Sequence, residues 1–111
     1  MVDVTEKRLQ QLCFTWFHNT YPNLRGTMWM THNQAKNATQ GSILKAMGMV
    51  PGVSDLLWFY QGFLYCIELK TETGTQSPVQ KKWESAVEKQ GAIYYVIRDL
   101  DSFKLTVNAL L

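Results

Sequence analysis

Cysteine is scarce in this sequence: there are two, Cys13 and Cys66, and they form no CxxC pair. With only His18 and His32 to add, no zinc signature can be built at these spacings. Cys66 lies in an apolar, strand-like run, which reads as a buried free thiol rather than half of a disulfide. Long hydrophobic runs are also missing; the longest are too short and too interrupted to span a bilayer. The first residues show no basic region followed by an apolar one, so no secretory signal is expected. These absences suit a reducing cytoplasm. Nor is there a strong charge of one sign. The net charge is +2, with Lys and Arg scattered singly or in pairs, which permits a nucleic-acid partner without arguing for one.

What is present fits one compact domain, 1–111, with no internal repeat, low-complexity stretch or long linker. Hydrophobic residues make up 46% and charged residues 18%, the balance of a globular chain. Aromatic residues reach 13%, with four Trp, so a sizeable core is available. Trp29, Trp58, Phe59 and Trp83 read as core or dimer contacts rather than as platforms for stacked bases.

From about Asp3 to His18, Leu9, Leu12, Cys13, Trp16 and Phe17 recur at helical spacing, with Asp3 or Thr5 as the cap. Asn19 to Thr27 is a turn-rich connection. Met28 to His32 reads as a short strand, Asn33 to Gly41 as a polar stretch, and Ser42 to Met47 as a short helix ending near Gly48. His32 and Asn33 could border a site, although a solvated or structural role is the commoner one for such residues. Asp55 to Tyr60 and Phe63 to Lys70 are strands joined by a tight Gln61-Gly62 turn, in which Gln is not a favoured first residue. Thr71 to Gln76 is a loop. Ser77-Pro78 opens a helix, with Ser at the N-cap and Pro in the first turn, that runs to about Gln90 and stops at Gly91. Ala92 to Arg98 is apolar up to Arg98, the pattern of a strand buried on both faces. Asp101 to Leu111 reads equally as a helix or as an edge strand with a tail. The strand–helix–strand unit from Phe63 to Arg98 implies parallel pairing, hence a mixed sheet with helices packed on it.

The hairpin carries the chemistry. If Tyr60 and Phe63 flank its turn, Asp55 falls directly opposite Glu68, with Cβ atoms roughly 4.5–5.5 Å apart. Lys70, two residues on, projects from the same face, while Ile67 and Leu69 point the other way. Two adjacent carboxylates repel unless a cation lies between them. A hard divalent ion such as Mg²⁺ or Mn²⁺ removes that penalty and accepts one or two carboxylates, waters and a substrate phosphate. Lys70 could orient or help deprotonate the attacking water and stabilise charge on the phosphate. The set suits hydrolysis of a phosphodiester. For any single E-x-K, a solvated ion pair is the commoner explanation; the combination with Gly52-Val-Ser-Asp55 and Ser77-Pro-Val-Gln80 is what points further.

Met49-Val-Pro-Gly-Val-Ser-Asp-Leu-Leu, then Ile67-Glu-Leu-Lys, then Ser77-Pro-Val-Gln-Lys-Lys-Trp resemble the VRR-NUC branch of the PD-(D/E)xK nuclease superfamily. The resemblance runs from about Gly48 to Arg98. Each motif is weak alone; three in order at compatible spacing are specific. The resemblance implies a restriction-endonuclease-like αβββαβ-type core, a mixed central sheet flanked by helices, and metal-dependent cleavage of DNA. It implies Asp55 and Glu68 as metal ligands with the carbonyl of Leu69, and Lys70 as the catalytic lysine. A glutamate on the first helix commonly completes the metal shell in this family, and Glu6 is the candidate. Gln80 would face the active site, while Ser77-x-x-Gln80 is also a capping box with a purely structural role. Ser77, Lys81 and Lys82 would lie at the DNA backbone, near a helix N-terminus that welcomes phosphate; for the lysines an exposed solubilising pair is the commoner explanation. The sequence departs at Ser54, where the family often has Pro, which leaves the ligand in place.

The family's short stand-alone members, many from phages or mobile elements, act as homodimers on branched DNA. The resemblance therefore implies a homodimeric, Mg²⁺- or Mn²⁺-dependent endonuclease selective for Holliday junctions or other branched DNA. The alternatives are a less selective nuclease, a nuclease subunit of a larger repair or restriction assembly, a non-catalytic nucleic-acid-binding module, and an interaction protein whose carboxylates form an ion-pair network.

Overall fold

A computed structural model describes residues 5–31 and 36–111. The expectations for Asp3, His32 and Asn33 lie outside the described residues. Helix α1 (Glu6–Thr20) starts where expected, because the Thr5 hydroxyl accepts a hydrogen bond from the Arg8 amide at 3.1 Å. Its buried positions, Leu9, Cys13 and Phe17, recur every four residues and form one stripe. A 3₁₀ turn (Pro22–Leu24) leads to strand β1 (Met28–Met30).

Helix α2 spans Ala38–Ala46 and so begins four residues before the expected Ser42. The Asn37 side chain caps it by accepting from the Gln40 amide at 2.8 Å, a start signal hidden in what reads as a polar loop. No residue of α2 is buried. Strands β2 (Leu56–Tyr60) and β3 (Phe63–Leu69) form the expected hairpin. Gln61 (φ 48°) and Gly62 (φ 86°) both take positive φ, the backbone of the turn that matches strand twist.

Ser77 and Gln80 exchange both bonds of a capping box at the start of helix α3 (Pro78–Lys89), which ends before Gly91 at φ 101°. Strand β4 (Ile93–Ile97) pairs parallel with β3, as the strand–helix–strand order requires. The closing segment resolves to a helix, α4 (Leu100–Leu110), capped by Asp99, whose carboxylate accepts from the Ser102 amide at 2.7 Å.

The sheet order is β1-β2-β3-β4, with β1–β2 and β2–β3 antiparallel. This order corrects the reading of β4 as buried on both faces. It is an edge strand, four of its five residues are at least partly accessible, and Val96 is exposed. An apolar run signals burial only if neighbours flank the strand, and among the described residues β3 alone does. One sheet face carries Leu56, Trp58, Tyr65, Ile67, Leu69 and Ile97 into a core closed by α1 and α4. Trp58 is fully buried with Phe17 edge-on at 5.5 Å, and Phe103 of α4 meets Trp16 edge-on at 5.9 Å. Trp29 and Phe59 lie exposed on the opposite face, so of the aromatic residues read as core or dimer contacts these two are not core.

Candidate active site

The second face of β3 is set by its register. Ladder partners in the hairpin sum to 123, from Tyr60↔Phe63 to Leu56↔Ile67, so Asp55 is in line with Glu68 one step beyond the last pair. Asp55 is fixed from two sides. Its Oδ2 accepts from the Leu69 amide at 2.7 Å, and its carbonyl accepts from the Thr31 amide at 3.1 Å. The main chain of Leu69 is therefore at the carboxylate. Burial pushes the Asp55 carboxyl above its ordinary pKa; the Leu69 amide opposes this, nearby Glu6 adds to it and Lys70 counters it.

Glu68 is inaccessible to solvent, the one buried charged residue among the described residues, on a strand whose other residues are apolar or aromatic. Its Oε1 accepts from the Tyr94 hydroxyl at 2.9 Å, whereas Oε2 is buried with no hydrogen-bond partner among the described residues. Burial holds its carboxyl above the ordinary value, Tyr94 and Lys70 pull it down, and Asp55 raises it again. The two carboxylates and the lysine thus sense one another.

Lys70 follows β3 and is mostly covered, with a side-chain exposure of 12%. Its Nζ lies 3.9 Å from Oε1 of Glu6 at the start of α1. The helix therefore delivers Glu6 to the same end of the sheet as Asp55 and Lys70. Among the described residues, no three His, Cys, Asp or Glu side chains stand close enough together to hold a metal ion.

Gln80 is occupied by its cap: Oε1 accepts from the Ser77 amide at 2.8 Å. Lys81 and Lys82 are exposed on the first turn of α3. That turn is docked onto the Asp55 loop through Gly52. A Cβ there would run into the Val79 carbonyl and come within 3.0 Å of the Gln80 nitrogen, and the φ of +83° also favours glycine. A cleft of about 220 Å³ opens beside Asp55, walled by Gln10, Thr31, Pro51, Gly52 and Val53. A larger cavity of about 500 Å³ lies between α1 and β1, away from Glu68, and shares only Gln10 with the cleft.

Two residues of the site escape the sequence reading. Tyr94 on β4 bonds Glu68, and Gln76 stands beside both while donating to Glu84 Oε1 of α3 at 2.9 Å. A parallel register would have flagged Tyr94. Glu68 pairs with Val96, so Tyr94, two residues earlier, shares its face. Cys13 and Cys66 are free and buried, and burial pushes their thiols up to about 12 and about 11.

No family model and no curated protein matches the sequence. Solved structures do. A VRR_NUC domain protein matches with a TM-score of 0.82 at 18% identity, over 98% of this chain and 89% of that one. A VRR_NUC domain matches with a TM-score of 0.64 at 18% identity, over 97% of this chain and 100% of that one. The mixed four-stranded sheet flanked by helices is the fold of the VRR_NUC domain, and this likeness supports the VRR-NUC resemblance carried by the sequence motifs.

Proposed function

We propose that the chain is a VRR-NUC-type, metal-dependent DNA endonuclease that hydrolyses phosphodiester bonds, selects branched DNA such as a Holliday junction, and works as a homodimer. One observation carries the reading: Glu68 Oε2 is buried without a hydrogen-bond partner among the described residues, on the face that also holds Asp55 and, beyond the strand end, Lys70. An unsatisfied buried carboxylate is costly, and a divalent cation relieves both the missing contact and the repulsion from Asp55. Asp55, Glu68 and the Leu69 carbonyl, with Glu6 at the rim, would hold Mg²⁺ or Mn²⁺. A Mg²⁺ site asks the protein for only one or two carboxylates, the rest being waters and substrate phosphate.

When bound, the cation supplies charge neutralisation at the scissile phosphate and a more acidic water. The chain's own residues do the remainder. The Leu69 amide and the Tyr94 hydroxyl hold the two carboxylates in place. Lys70, partnered by Glu6, brings an ammonium to the charge that develops on phosphate oxygen. The first turn of α3, with Ser77, Gln80, Lys81 and Lys82, presents amides and positive charge to the DNA backbone. Exposed Trp29, Phe59, Ile43 and Met47 supply apolar surface for the second copy. The two free thiols suit a reducing cytoplasm.

The test is cleavage of labelled four-way junction, flap, duplex and single-stranded DNA with Mg²⁺, Mn²⁺ or EDTA, alongside Lys70→Ala and Glu68→Ala. Metal-dependent cutting, strongest on the junction and lost in both variants, is expected. A folded protein that binds these DNAs but cuts none with either metal would replace this reading with that of a non-catalytic binding module.

A further inference from the structure

Glu68 presents its two oxygens to different surroundings. Oε1 is tied to the Tyr94 hydroxyl at 2.9 Å, and Oε2 is buried with no hydrogen-bond partner among the described residues. A glutamate carboxylate at the end of three rotatable bonds can turn either oxygen towards a cation, and a single fixed donor restricts that freedom. Tyr94 is itself held in place. Its strand register puts it on the face of Glu68, and the Trp83 ring of α3 meets it at 6.0 Å and 61°. Gln76, bonded to Glu84 of the same helix, lies beside both Tyr94 and Glu68.

We infer that Tyr94 is a positioning residue: its hydroxyl fixes Glu68 so that Oε2 is the oxygen offered to a divalent cation, and α3 clamps Tyr94 through Trp83. This inference rests on the nuclease reading above. Partners that orient a ligating carboxylate typically change metal affinity or activity by about 10–100-fold when removed. Removing the hydroxyl alone keeps the ring, its edge contact with Trp83 and the strand.

The experiment is calorimetric titration of Mn²⁺ into the wild type, Tyr94→Phe and Glu68→Gln, with cleavage measured across a Mn²⁺ series. Urea unfolding of each metal-free protein checks the fold. Tyr94→Phe is expected to unfold cooperatively, to bind Mn²⁺ about 10–100-fold more weakly, and to recover most of its turnover at saturating Mn²⁺. Glu68→Gln is expected to lose both binding and turnover. Unchanged Mn²⁺ affinity in Tyr94→Phe, with binding lost in Glu68→Gln, overturns the inference and leaves the nuclease reading intact. A wild type that neither binds Mn²⁺ nor cuts DNA overturns both. If Tyr94→Phe does not fold, Trp83→Leu carries the same test, since it spares the hydroxyl but removes the clamp; unchanged Mn²⁺ affinity there overturns the inference.

Discussion

On one face of β3, Tyr65, Ile67 and Leu69 sink into a core closed by α1 and α4; on the other, Cys66 and Glu68 share their space with Asp55, Tyr94 and a single helix, α3. The first face is lined by apolar and aromatic side chains, whose rings meet both edge-on and stacked. The second face buries a carboxylate with one unbonded oxygen, and towards β1 it leaves Trp29 and Phe59 exposed. The same strands thus supply rigidity on one side and destabilising chemistry on the other. The first face can hold Glu68 in an unfavourable place because its own packing is well satisfied.

The comparison breaks most severely at Trp58, which is fully buried at the centre of the core face. Trp58→Ala is expected to cost about 3–5 kcal/mol, read as a lower urea midpoint. A loss under about 1 kcal/mol would show that the core face does not carry the fold.

Glu68→Gln sharpens the comparison from the other side. Burial keeps the Glu68 carboxyl above its ordinary pKa, so the folded state holds that proton more tightly than the unfolded chain. In the metal-free protein this group's contribution is therefore present at acid pH and is lost as pH rises through the elevated value. The variant is expected to flatten that loss and raise Tm near neutrality, while cutting DNA cleavage at least about a hundredfold, as several kcal/mol of metal-assisted stabilisation disappear. Thermal melts between pH 4 and pH 8, paired with the cleavage assay, check it; a lowered Tm at neutral pH would count against a destabilised carboxylate.

Gly52→Ala tests how the site face is joined to α3. The added methyl meets the Val79 carbonyl at a positive φ, so a stability loss of about 1–3 kcal/mol is expected. Cleavage should weaken further than stability alone predicts, because the α3 N-terminus is pushed away from the Asp55 loop. Unfolding and cleavage measured on one preparation separate the two. The smallest effect is expected on the uncovered part of the same face. Phe59→Ser should change monomer stability by no more than about 0.5 kcal/mol and shift the mass measured by light scattering from dimer to monomer. Unchanged mass would remove Phe59 from the interface.

Local chemistry was legible in advance. Ser77-Pro78-Val-Gln80 announced a capped helix, and the hairpin register followed from where its turn lies, which brought Asp55 opposite Glu68 with no tertiary information. The start of α2 was missed because Asn37 sits in a stretch polar enough to pass for a loop. The rank of β4 was missed because an apolar pentapeptide looks the same at an edge as at the centre.

By itself, then, the sequence determined α1, the hairpin and its pairing, and the capped helix α3 with the strand that follows it, since each depends on residues close in the chain or on a period of two. Tertiary structure alone decided that β4 is an edge strand, that Tyr94 reaches Glu68, that Glu6 comes to Lys70 across the sheet end, and that Trp29 and Phe59 stay uncovered. Those outcomes depend on strand order and on which helix closes which face. These are long-range choices made by the summed burial of many side chains, and no short stretch of sequence encodes them.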